Sequence, residues 1–202
     1  MSKRKPLANL RVLDFTWVIA GPLLTRLLGV LGAQVIKVES TARIDLMRTS
    51  GPFRDGVLNV NKSGYFNNFN TDKMSTTLNI ATREGREVVL RLAAQCDVVV
   101  ENYAPGVLER QDLRYEAFRA VRPDVIMVRM PGMGLEGPGA HARLMGNYIQ
   151  AAAGIDELSG DPERQPVGSG MSYPDTSSTP YQVLPALFAA LAYRRATGEG
   201  RE

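Results

Sequence analysis

The residue whose neighbours best suit it to chemistry is Asp175. It lies in Gly168-Ser169-Gly170-Met171-Ser172-Tyr173-Pro174-Asp175-Thr176-Ser177-Ser178-Thr179-Pro180. Small residues let backbone approach a ligand, and Pro174 stiffens the entry to the aspartate. A carboxylate just ahead of a helix also sits near positive backbone dipoles. The same residue types equally describe an N-cap or Asx-turn aspartate with no chemical role. Taken by composition alone, the segment favours that plainer reading.

Other candidate chemistries fare worse. Cys96 sits at a helix end before an apolar strand, which suits a small core residue better than a nucleophile. The single histidine, His141, follows a glycine run and reads as a solvated loop side chain. One His and one distant Cys do not supply a metal site. Gly21 between an apolar strand and a helix, with Glu39 ending the next strand, has the order of a dinucleotide site. The G-x-G-x-x-G fingerprint is absent, however, as is the P-loop signature, so neither nicotinamide nor flavin is expected. Glu39 reads better as a salt-bridged or solvated strand end.

The elements that must position these residues alternate in type. Leu10–Phe15 reads as a short buried strand and Gln34–Glu39 as a second. Between them Gly21-Pro22 opens a helix whose Leu23, Leu24, Leu27, Leu28 and Leu31 recur at helical spacing, with Gly32 as its stop. Further strands are expected at Ser75–Ile80, Asp97–Asn102 and Val125–Met130. Helices are expected from Thr82 to Gln95, with Thr82 as cap, and then over Leu113–Val121, Tyr148–Ile155 and Pro180–Ala196. Arg194 and Arg195 sit favourably in the last turn of the final helix. Residues 40–74 read as irregular, and so long an irregular stretch is more often functional than idle. Strands alternating with helices imply a mostly parallel sheet covered on both faces.

Composition sets outer bounds. The chain has 202 residues, 24 Lys+Arg against 21 Asp+Glu, and a net charge of +3. That is enough for a core without staples, and a lone cysteine fits a reducing compartment. Basic residues form only short clusters such as Lys3-Arg4-Lys5, so no nucleic-acid partner is indicated. No apolar run is long enough to span a membrane, and the first ten residues lack the apolar stretch of a secretory signal. The expected localisation is cytoplasmic.

Several blocks, in order along the chain, resemble the class III CoA-transferases, the family of formyl-CoA transferase, carnitine CoA-transferase and α-methylacyl-CoA racemase. They are Pro6–Thr16, Ala20-Gly21-Pro22, Leu31–Glu39, the segment from Asn70 through Lys73 to Leu78, Val100–Arg110, Gly132-Met133-Gly134-Leu135-Glu136-Gly137-Pro138, and Ala189–Gly200 with its T-G-x-G end. No one block is decisive; six in register, with Ala20-Gly21-Pro22 and Leu31–Glu39 counted as one, are specific. The resemblance implies an α/β fold, a Rossmann-like, mostly parallel open sheet with helices on both faces. Residues 1–202 would form the N-terminal part of the large CoA-binding domain. The family's smaller C-terminal domain, and a glycine-rich loop that covers the active site, would lie outside this chain.

In that family the nucleophile is an aspartate just before the helix ending in T-G-x-G, and the matching position is Asp175. The implied reaction moves coenzyme A, a substrate here, between an acyl-CoA thioester and a carboxylic acid. It runs through an aspartyl anhydride and an aspartyl-CoA thioester, with glycine-rich backbone N–H groups stabilising the oxyanions. Positions matching family CoA contacts are Val18, Ala20, Leu78, Asn102, Tyr103 and Arg110. A guanidinium at 110 suits phosphate, although Arg110 could equally pair with Glu109 or Asp112 on the surface. The basic residue that often follows the second-strand glutamate is missing, with Arg43 or Arg48 as substitutes. Racemases carry a histidine near Met145, and this sequence does not, which favours transfer over racemisation. The resemblance further implies an interlocked homodimer, or a complementary C-terminal chain. The isolated 202 residues would then bind CoA weakly and turn over poorly. A CoA-binding subunit without turnover is the remaining alternative.

Overall fold

The computed structural model describes residues 5–202, so most of the basic cluster Lys3-Arg4-Lys5 lies outside the described residues. The strands are β1 (Arg11–Asp14), β2 (Gln34–Glu39), β3 (Lys73–Thr77), β4 (Val98–Glu101) and β5 (Ile126–Arg129). They form one sheet in the order β3-β2-β1-β4-β5, and all four pairings are parallel. The helices are α1 (Ala20–Val30), α2 (Gly64–Phe69), α3 (Arg83–Ala93), α4 (Tyr115–Val121), α5 (Gly146–Ala152), α6 (Ile155–Leu158) and α7 (Thr179–Thr197).

Alternation along the strands sorts the core into two layers. Val12, Val35, Val98, Val100 and Ile126 face Leu24 and Leu28 of α1 and Leu187 of α7. Leu13, Val38, Val99 and Met127 face the other way, against Val89 and Ala93 of α3 and Phe118 of α4. Each fully buried aliphatic or aromatic side chain is worth about 1.5–3 kcal/mol relative to exposure. Cys96 belongs to the second layer, where burial pushes its thiol up to about 11. It is a core residue, inert as a nucleophile at neutral pH.

Local chemistry fixes the element ends. Thr82 Oγ1 accepts the Gly85 N–H and so starts α3 as expected. Gly198, with φ +78, closes α7, and beyond it the Met127 N–H donates to Arg201 O, so the chain returns alongside β5. Two expectations need correction. The stretch 40–74 is not wholly irregular. It contains two 3₁₀ turns and α2, whose start is fixed by the buried Ser63 hydroxyl accepting the Phe66 N–H while donating to Met47 O and Ser50 O. The helix expected over Tyr148–Ile155 is instead α5 and α6, separated by Gly154 at φ +76.

Candidate active site

Strand order reverses between β1 and β4, the place where open α/β sheets hold ligands at their carboxyl ends. There the turn Thr16-Trp17-Val18 is clamped by side chains from four elements. Asp14 Oδ1 accepts the Thr16 N–H (2.8 Å), and Lys37 Nζ donates to Thr16 O (2.6 Å). Asn102 takes the Trp17 N–H at 2.8 Å and donates to Trp17 O at 2.9 Å. Asp45 Oδ1 accepts the Val18 N–H at 3.1 Å. Val18 has φ +68, a left-handed conformation that costs a β-branched residue about 1–2 kcal/mol. Strain of this kind persists only where surroundings over-determine it. Gly21 completes the turn, since a Cβ there would overlap the Thr16 side chain.

Beneath the turn lies a buried ionic cluster. Asp14 meets Lys73 at 3.1 Å, and Lys37 meets Asp45 at 3.3 Å, with all four side chains at most 2% exposed. Burial alone would raise the Asp14 carboxyl. The Lys73 and Lys37 ammoniums, with the Thr16 and Thr25 hydroxyls, hold it below its ordinary value. Burial pulls the Lys73 ammonium down to about 8 despite Asp14. Lys73 Nζ also donates to Asn70 Oδ1 and Pro22 O, which gives the Asn70–Lys73 spacing its physical reason.

A cleft of about 500 Å³ opens over the carboxyl ends of β1, β2, β3 and β4. Its apolar wall is Phe15, Trp17, Val38, Leu78, Ile80 and Tyr103. Trp17 and Tyr103 meet edge to face at 5.7 Å, and Tyr103 is fixed by its N–H donating to Glu101 Oε2 (2.8 Å). Burial pushes the Tyr103 hydroxyl well above its usual value, so it stays protonated. Arg43, Arg110 and Arg143 supply the polar rim. All three are exposed, and none pairs with a carboxylate among the described residues. Arg43 lies over the Trp17 ring at 5.5 Å, and the buried Trp17 Nε1–H has no acceptor.

Of the expected contact residues, Leu78, Tyr103 and Arg110 line this cleft. Val18, Ala20 and Asn102 do not; they shape the turn beside it. Among the described residues Arg110 pairs with neither Glu109, which engages Arg129, nor Asp112. Arg48 is also committed, making a bidentate pair with Glu39 at 2.6–2.8 Å and stacking on Phe66. Glu39 is therefore a salt-bridged strand end, and of the two arginines Arg43 is the one without a carboxylate partner among the described residues. Asn102→Ala strands both backbone groups of Trp17, at a cost of about 1–3 kcal/mol. A loss of that size in urea melts is expected.

Asp175 stands apart from the cleft wall, within a π-helical turn (Pro174–Ser178) that runs into α7. The N-cap reading fails, since its side chain caps no helix there. The half-buried carboxylate instead accepts from Ser172 Oγ at 2.6 Å. Gly146, the first residue of α5, lies flat against it, and a Cβ there would overlap both Asp175 Oδ2 and Ser172 Oγ. Burial raises the Asp175 pKa, opposed by the Ser172 hydroxyl and the Gly146 N–H. Among the described residues no cation pairs with it. Gln150, buried on α5, orients the approach by accepting the Tyr173 N–H and the Ser169 hydroxyl, both at 3.2 Å, and by donating to Asp156. The only histidine, His141, is exposed in the loop before α5. Among the described residues no cluster of three His, Cys, Asp or Glu could hold a metal, and no helix is long and apolar enough to cross a membrane.

The sequence pattern of CoA-transferase family III matches residues 7–202. The chain belongs to that family. It is 38% identical over 196 residues to the succinyl-CoA:glutarate CoA-transferase of Mus musculus, covering 97% of this chain and 44% of the relative. It is 36% identical over 197 residues to the formyl-CoA:oxalate CoA-transferase of Bradyrhizobium sp., covering 98% and 45%. A crystal structure of a CaiB/BaiF family protein from Brucella suis superposes with TM-score 0.88 at 37% identity, over 98% of this chain and 52% of that one. The chain thus spans less than half the length of these two curated family III transferases.

The clamp was the part of the site least visible in the sequence. Lys37 and Asp45 carry no local signal, because each meets the turn after β1 only in the fold, Lys37 from within β2 and Asp45 from the excursion that follows it. Ser172 was legible only as a hydroxyl three residues ahead of the aspartate.

Proposed function

We propose that the complete protein containing this chain transfers coenzyme A from an acyl-CoA thioester to a carboxylic acid, with Asp175 as nucleophile. The observation that carries this reading is the Asp175 carboxylate itself: half-buried, raised in pKa by burial, and unpaired with any cation among the described residues. Such a group is more basic and more nucleophilic than a solvated or salt-bridged aspartate.

The carboxylate attacks the thioester carbonyl carbon and expels CoA thiolate, leaving a mixed anhydride. The thiolate then attacks the aspartyl carbon and expels the donor acid as carboxylate. The aspartyl thioester is opened by the acceptor carboxylate, and the thiolate finally takes the acceptor's acyl group. Each step exchanges one acyl bond for another of similar energy, with no redox partner. In this reading Leu78, Tyr103, Arg110 and Arg43 hold the CoA nucleotide in the cleft. The aromatic pair supplies a stacking face, the unpaired guanidiniums suit phosphates, and the Trp17 indole N–H awaits an acceptor. Val18, Ala20 and Asn102 shape the turn along which the pantetheine arm would run toward Asp175.

The absence of histidine beside Asp175 supports transfer over racemisation. Exposed Tyr181 and Phe188 on α7 support further polypeptide covering that helix, in an interlocked homodimer or from a complementary chain. A cytoplasmic setting fits a single buried thiol. The test is steady-state kinetics of the complete protein with succinyl-CoA or formyl-CoA as donor and short dicarboxylic acids as acceptors. Parallel double-reciprocal lines are expected, with donor thioester consumed only when acceptor is present and acceptor-CoA formed in equal amount. Rapid hydrolysis without acceptor, or exchange of the acyl α-proton with solvent deuterium, would contradict the reading.

A further inference from the structure

Ser172 has no role in the reading above, yet it touches the reacting group. Its hydroxyl lies 2.6 Å from Asp175 Oδ2. No other side chain among the described residues donates to this carboxylate, whose second donor is the Gly146 backbone N–H. Gly146 backs the same Oδ2, at a distance that leaves no room for a side chain. Ser172 is itself held within the turn: the Asp175 N–H donates to Ser172 O at 3.1 Å, and the Thr176 N–H and hydroxyl donate there at 3.0 and 2.9 Å. The hydroxyl therefore reaches the carboxylate from a fixed backbone.

We infer that Ser172 is a further catalytic residue, whose hydroxyl makes Oδ2 the spectator oxygen of Asp175 and stabilises the negative charge that develops on it. The inference rests on Asp175 being the nucleophile. With Oδ2 held, Oδ1 attacks the acyl-CoA carbonyl carbon and becomes the bridging oxygen of the anhydride as the C–S bond breaks. When thiolate attacks the aspartyl carbon, the electron pair of the C=Oδ2 bond moves onto Oδ2, against the Ser172 hydroxyl. Collapse of that adduct breaks the C–Oδ1 bond, and the donor acid departs as carboxylate carrying Oδ1. The acceptor carboxylate attacks the same carbon next and again places charge on Oδ2 before thiolate leaves. Two of the four acyl exchanges thus occur at the aspartyl carbon, and Ser172 serves both. No proton is transferred; the hydroxyl only donates a hydrogen bond that strengthens as charge builds.

The experiment compares Ser172→Ala, Ser172→Cys and Asp175→Ala in the complete protein, with thermal melts to confirm folding. Loss of one such donor costs about 100-fold in kcat, with KM for acyl-CoA changed only a few-fold. Ser172→Cys keeps the shape and donates weakly, so its kcat should fall between alanine and wild type. Because the hydroxyl favours the charged carboxylate, Ser172→Ala should also move the acid limb of kcat/KM to higher pH. A merely structural serine would not move that limb. Ser172→Ala with wild-type kcat, or a loss of kcat with an unmoved acid limb, overturns the role of Ser172 while an inactive Asp175→Ala leaves the nucleophile standing. An active Asp175→Ala overturns the reading on which both rest.

Discussion

Asp175→Ala is expected to lower turnover of the complete protein by about 10⁴-fold or more, the scale on which removal of a covalent nucleophile is felt. Melting temperature and CoA affinity should change little. The carboxylate accepts one side-chain hydrogen bond and pairs with no cation among the described residues, so few structural contacts are lost with it. It also stands off the cleft wall that would hold the nucleotide. Asp175→Glu should fare little better. One added methylene drives the carboxyl toward the Gly146 backbone, which already sits against it, and a misplacement of about 1 Å costs about 100-fold. A fall in activity that merely tracked a fall in melting temperature would mark the residue as structural.

The second large effect concerns stability. Lys73→Met removes the ammonium that satisfies Asp14 Oδ2, Asn70 Oδ1 and Pro22 O in a buried site. Breaking a buried pair by deleting one partner costs about 3–5 kcal/mol, because the other charge is left without compensation. Asp14 is then held by Lys37, the Thr16 N–H and two threonine hydroxyls, so its folded-state pKa rises. The sign of the pH dependence follows. In the wild type, the depressed Asp14 pKa contributes stability that is present above the unfolded carboxylate value and is lost as pH falls through the folded one. In the variant that contribution shrinks or reverses. The deficit relative to wild type should therefore be largest near neutral pH and narrow on acidification. Urea melts from pH 7.5 down through the ordinary carboxylate value of 3.8 would show it, and a deficit that widens toward acid would contradict the assignment. CoA affinity should drop as well, since Asp14 fixes the Thr16 N–H at the head of the clamped turn.

The sheet was legible because apolar strands such as Val98–Val100 are buried on both faces, α1 carries a periodic apolar stripe, and α3 carries such a stripe with a threonine cap. α2 was not, since six residues with two buried phenylalanines and a serine cap leave too short a pattern to separate from a loop. At the site, Leu78, Tyr103 and Arg110 line one cleft: Leu78 and Tyr103 closely follow the ends of β3 and β4, and Arg110 lies in the 3₁₀ turn Glu109–Gln111 farther on. The structural role of Asn102 was not legible in the sequence. Its amide faces the Trp17 backbone 85 residues away, and no local spacing encodes that. Arg43 and Arg48 could not be told apart in the sequence. Only the fold shows that Glu39 and the Phe66 ring occupy Arg48, leaving Arg43 over Trp17.

The most direct test is intact mass spectrometry of the complete protein after incubation with acyl-CoA donors, with borohydride or hydroxylamine trapping and peptide mapping. An adduct on the peptide containing Asp175, absent from Asp175→Asn, is the predicted result. A protein that moves CoA between acids yet yields no adduct there, or carries it on another residue, would contradict the account.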